Sequence, residues 1–153
     1  MLQRIQTVYL SFVFVFTLMF LFFPLGSIHL ASEIILIKTW GLSPQINQIE
    51  YNSIPGYLAL ALSFFIMILT VFTIFRYKKR LFQIKLGKIN IFLHVLLVVS
   101  YFFFLDSVKK GYEDSFSYGI AVVFPLLSMI LILMANRSVK KDEELVRSAD
   151  RIR

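Results

Sequence analysis

His29 and His94 are the only imidazoles in a chain of 153 residues that contains no cysteine. A metal or haem bound within one chain needs ligands that converge. His94 lies about five residues into the apolar run "INIFLHVLLVVSYFFFL", roughly 7 Å deep at the helical rise. His29 follows the far end of an earlier apolar run, so the two sit at opposite depths and no single metal or haem can take both. The role expected for His94 is a packing donor to a neighbouring helix's carbonyl or serine hydroxyl, although an intramembrane histidine can also serve function. Without cysteine, disulfides, thiolate catalysis and Cys-ligated zinc are excluded. The sequence carries no GxSxG, HExxH, Walker or GxGxxG pattern, and neither enzymatic activity nor a cofactor is expected.

The other concentration of reactive groups is the ending "VKKDEELVRSADRIR". Leu145, Val146, Ala149 and Ile152 fall at i, i+1, i+4 and i+7, and Lys140–Glu144 and Glu143–Arg147 are opposite charges one turn apart, which predicts a helix with one narrow apolar stripe. A tail made for anionic lipid would be mostly Lys and Arg on its polar face. Here Asp142, Glu143, Glu144 and Asp150 offset the basic charge, a mixture that suits a protein surface.

The elements that must position these groups are apolar. Hydrophobic residues make up 58% of the chain and 17 are Phe, which marks a membrane protein rather than a soluble domain. Runs 8–26, 54–75, 89–105 and 116–135 contain no Asp, Glu, Lys or Arg, and each approaches the roughly 20 residues a spanning helix needs. The first is read as an uncleaved span, since "PLGSIHLAS" places a histidine where a signal peptidase prefers a small residue. Pro55 suits the first turn of the second. Of the 16 Lys and Arg, all but Lys38, Lys109 and Lys110 fall on the side of the termini and the 76–88 connection, which predicts that both ends face the cytoplasm. The net charge of +7 therefore reads as membrane anchoring and not as nucleic-acid binding.

The exported loop 27–53 combines the β-prone "EIILIKTW" with "GLSPQ" and the alternating "INQIEY", a pattern for a small hairpin on the membrane surface. Trp40, Tyr51 and Tyr57 read as interfacial anchors. Loop 106–115 reads as a solvated turn. Asn90 and Asn136 read as interfacial hydrogen-bonding groups near the terminal ends of their helices. Pro125 with Ser128 is the nearest approach to a transport feature.

The start "MLQRIQTVYL", the middle "KKRLFQIKLGKIN" and above all the ending "ANRSVKKDEELVRSADRIR" resemble the signature segments of the domain-of-unknown-function 4293 family, small four-helix membrane proteins of Bacteroidota. The resemblance covers the whole length. It implies a bacterial inner-membrane protein and lends no catalytic residue, since that family has no established activity.

The expected fold is an all-α, antiparallel four-transmembrane-helix bundle with both termini cytoplasmic and the segment 136–153 extending the last helix. Its partners are membrane lipids and other membrane protein subunits. The expected function is a non-enzymatic accessory or structural subunit of a larger envelope assembly. The residues expected to hold the partner are Arg4, Asn136, Arg137, Asp142, Glu143, Leu145, Arg147, Asp150 and Ile152, which with Gln3, Gln6, Gln83, Lys85 and Asn90 form one polar surface. The alternative is an oligomeric small-solute transporter or channel built around helices three and four.

Overall fold

A backbone that leaves water has to satisfy its own N–H and C=O groups, so long apolar stretches form helices. The computed structural model describes residues 5–30, 33–44, 50–77 and 79–150. It contains α1 (Ile5–Phe22), α2 (Ile54–Phe75), α3 (Arg80–Lys109) and α4 (Phe124–Asp150). Among the described residues, four helices are long and apolar enough to cross a membrane.

Helix α2 occupies the expected range 54–75. Pro55 stands in its first turn, and the Ile54 N–H donates to Asn52 Oδ1 at 3.0 Å. The other three differ from their apolar runs. Helix α1 begins at Ile5 and stops at Phe22 instead of running from 8 to 26, because Pro24 cannot extend the ladder and Gly26 already belongs to a strand. Helix α3 absorbs the basic segment 80–88 that was expected to be a connection. The run 116–135 divides into a strand, a 3-10 turn at Ile120–Val123 and the start of α4, which then continues unbroken to Asp150.

Helices α1 and α3 each pack against both α2 and α4, so successive helices are neighbours around a ring. The buried stripe of α2 is Gly56, Ala59, Ser63, Ile66, Thr70 and Thr73, all but Ile66 small residues of the kind that let helices approach closely. The hydroxyls of Ser63, Thr70 and Thr73 donate to carbonyls four residues back, at 2.7–2.8 Å, and so need no outside partner. Phe16 of α1 stacks on Phe124 of α4 with ring centroids 5.9 Å apart. Large apolar side chains such as Phe64, Phe65, Ile68, Phe92 and Phe103 point away from the bundle, as a lipid surround requires.

The expected fold was all helix with at most a hairpin in the first loop. The protein instead carries a four-stranded antiparallel sheet drawn from the first loop and from the start of the run 116–135: β1 (Gly26–His29), β2 (Ile34–Lys38), β3 (Gly41–Ser43) and β4 (Phe116–Tyr118), in the order β3-β2-β1-β4. Most of "INQIEY" lies outside the described residues, and Glu50 and Tyr51 are not in a strand. Alternation along the strands turns Ile28, Ile35 and Ile37 inward. There they join Phe20, Phe104 and Leu105 in one core continuous with the bundle. The Gly119 N–H donates to the Leu25 carbonyl at 2.8 Å, and a Cβ at Gly119 would collide with the Pro24 carbonyl, so only glycine permits this approach of β4 to the end of α1. One end of the bundle is thus capped by the sheet, and the other carries the chain termini.

Candidate functional site

The buried face of helix α3 changes character halfway along. Towards the terminal end it holds Gln83, Gly87, Asn90 and His94, with Leu86 beside them; towards the sheet end it holds Leu97, Tyr101, Phe104, Leu105 and Val108, with Ser100 among them. The polar half runs about 16 Å along the axis, roughly half of a bilayer's hydrocarbon thickness.

Neighbouring helices meet this half with polar residues of their own. Asn90 Nδ2 donates to Thr70 Oγ1 of α2 at 2.8 Å, and that hydroxyl in turn donates to the Ile66 carbonyl. Asn136 of α4 lies flat against Gly87, so closely that a Cβ there would meet its amide nitrogen at 2.6 Å. Taking that contact as a register mark, His94 lies about 10 Å further along α3 and Ser128 about 12 Å back along antiparallel α4, at nearly the same depth. Gln6 of α1 is also buried.

His94 does not bond to a neighbouring helix as expected. Its Nδ1–H donates to the carbonyl of Asn90 in its own helix at 2.9 Å, which leaves Nε2 as a bare acceptor. Among the described residues Nε2 has no partner, and neither do Gln6 Nε2 and Oε1, Gln83 Oε1, Asn90 Oδ1 or Ser128 Oγ. Unsatisfied polar atoms in a membrane interior are costly, and six of the seven among the described residues lie in this half, the seventh being Thr39 Oγ1 at the sheet end. By contrast, Tyr101 Oη donates to the Val122 carbonyl at 3.0 Å and Ser100 Oγ to the Pro55 carbonyl at 2.6 Å.

Five of the nine expected partner-binding residues have described side chains, and these occupy different surroundings. Arg4 and Ile152 lie outside the described residues, as do the side chains of Arg147 and Asp150, whose backbone is helical. Asn136 is half-buried and packs against Gly87. Gln6, Gln83 and Asn90 are buried inside the bundle, which corrects the expectation that they share a polar surface with the tail. Glu143 forms an ion pair with Arg80 of α3 at 3.4 Å and so ties the extension to the bundle. Lys140 reaches Glu144 at 3.8 Å, the pair expected from their spacing. Asp142 is half-buried, Arg137 is exposed beside α1, and Leu145 is exposed. Thr70 and Ser128 were missed as members of a polar interior, and the spacing of positions 83, 87, 90 and 94 on one helical face was the signal for it.

A ring of four helices of spanning length, with bulky apolar side chains turned outward, defines a multi-pass helical membrane protein. The sequence matches the family DUF4293, described as a domain of unknown function, over residues 2–152, and the chain belongs to that family. No curated protein matches it.

Proposed function

We propose that this protein is a non-enzymatic accessory subunit of a larger assembly in a bacterial inner membrane, with both termini in the cytoplasm and the end of α4 as its docking element. The observation that carries this reading is the unbroken continuation of α4 past its apolar part to Asp150. From Asn136 onward the extension is about 22 Å long. Because it continues α4 it needs no nucleus of its own, and the Lys140–Glu144 pair one turn apart supports it. The Arg80–Glu143 pair supplies one brace, while Leu145 and Val146, at 60% and 43% exposure, are left for a partner. Burying Leu145 against protein would contribute roughly 1.5 to 3 kcal/mol.

Ending the chain after Lys141 keeps the juxtamembrane cations. The truncated chain is expected to insert at normal abundance while losing a partner that co-purifies with the full chain at fixed stoichiometry in mild detergent. Retention of that partner by the truncated chain contradicts the reading. The orientation has its own measurement: a cysteine at Ser43, in β3, is expected to react with an impermeant reagent on intact cells, and one at Ser138 is not.

The buried polar half-core favours a second reading, an oligomeric transporter or channel around α3 and α4. It predicts self-association without a second protein, and the same purification distinguishes the two.

A further inference from the structure

Two grooves open at the terminal end of the bundle, and their charge differs. One, of about 370 Å³, is lined by Lys79, Arg80, Leu81, Phe82 and Glu143, and its arginine is already engaged by its glutamate. The other, of about 350 Å³, lies between α1 and α4 and is lined by Ile5, Tyr9, Met134, Arg137, Ser138 and Lys141. Among the described residues no carboxylate lines this second groove. Met134, Arg137, Ser138 and Lys141 share one face of α4, with Asp142 on the adjoining face, and Ile5 and Tyr9 share one face of α1. Among the described residues, Arg137 and Lys141 have no ion-pair partner, and the hydroxyls of Tyr9 and Ser138 make no hydrogen bond.

We propose that this α1–α4 groove binds the head-group phosphate of an acidic phospholipid in the leaflet on the terminal side. A planar guanidinium matches phosphate oxygens two at a time, an ammonium one turn away adds a second positive charge, and two hydroxyls can donate to the remaining oxygens. Two uncompensated cations around one phosphate favour a lipid of net negative charge, because an ethanolamine or choline head would bring in a third positive charge. Ile5 and Met134 line the same groove with exposed apolar surface at the level where glycerol and the first methylenes lie, so the occupant is an amphiphile rather than a free anion. The inference rests on the multi-pass membrane reading and not on the docking role of the tail, so it stands if the truncated chain keeps its partner.

The test is native mass spectrometry of the full chain after equilibration with mixed micelles of phosphatidylglycerol and phosphatidylcholine. One phosphatidylglycerol is expected to be retained in preference to phosphatidylcholine. Arg137→Gln and Lys141→Gln are each expected to lower that preference about fivefold, the share of one cation near a charged membrane surface. Lys140→Gln removes the same charge from outside the groove, where Lys140 already faces Glu144, and is expected to leave the preference unchanged. An equal loss in Lys140→Gln and Lys141→Gln would replace the site with a diffuse surface potential and overturn the proposal. Absence of any preference in the unaltered chain overturns it as well. Displacement of the lipid by inorganic phosphate alone would assign the groove to a soluble anion, which also overturns it.

Discussion

Helix α3 holds two different solutions to packing in one stretch of backbone. In its sheet half, Tyr101 and Phe104 are fully buried, the Tyr101 hydroxyl has a partner, and the inward strand residues complete a core of the kind found in water-soluble domains. In its terminal half the same face carries Gln83, Asn90 and His94, and only part of their hydrogen-bonding capacity is met. Between helices in lipid there is little hydrophobic drive, and close approach and interhelical hydrogen bonds decide association. The difference teaches that the sheet end can hold the helices together by shape and area. Among the described residues, the terminal half relies on one tight seam, Gly87 against Asn136, on the bond from Asn90 to Thr70 and on the Arg80–Glu143 ion pair.

Phe104→Ala attacks the half that is held by shape. Phe104 packs edge-on against Tyr51 and lies beside Gly56, so a cavity opens between sheet and bundle. A loss of about 3 kcal/mol or more is expected in a detergent unfolding titration. A loss no greater than that of the seam variant would erase the asymmetry between the halves.

Gly87→Ala attacks the seam. The added methyl lands on the Asn136 amide, and a loss of about 1 to 3 kcal/mol is expected from overpacking. Combining it with Asn136→Ala makes room for the methyl, so the pair is expected to recover most of that loss in a double-mutant cycle. Additive losses would mean that the two residues do not share one contact.

Ser128→Ala sharpens the comparison with the smallest effect. Its hydroxyl has no partner among the described residues, so removal is expected to change stability by less than about 0.5 kcal/mol, or to raise it slightly. A clear destabilisation would show that the terminal half is satisfied after all, through the His94 imidazole or an internal water.

Much of this arrangement was legible in the residues. The apolar runs located four helices, and Pro55 together with the basic stretch after Phe75 marked both ends of α2. The terminal turns of α3 were harder to see, because Lys85 and Lys88 made an ordinary exposed helical face look like a loop. Strand β4 was hidden inside the apolar run beginning at Phe116; three residues have no periodicity of their own, and only pairing with the distant β1 makes them a strand. Gln83 and Asn90 looked interfacial because lysines flank them in sequence, yet the helical period turns those lysines outward and the amides inward. The ion pair between Arg80 and Glu143 joins two elements remote in sequence and could not be read from spacing.

The register Gly26↔Tyr118 and Ile28↔Phe116 has a bearing on biogenesis. During synthesis, strand β1 emerges with α1 but keeps an unpaired edge until residues 116–118 have been made. A nascent chain that stalls before the fourth helix would therefore present a raw strand edge to quality-control proteases. Pairing by β4 closes that edge once the segment after α3 has returned to the end of α1.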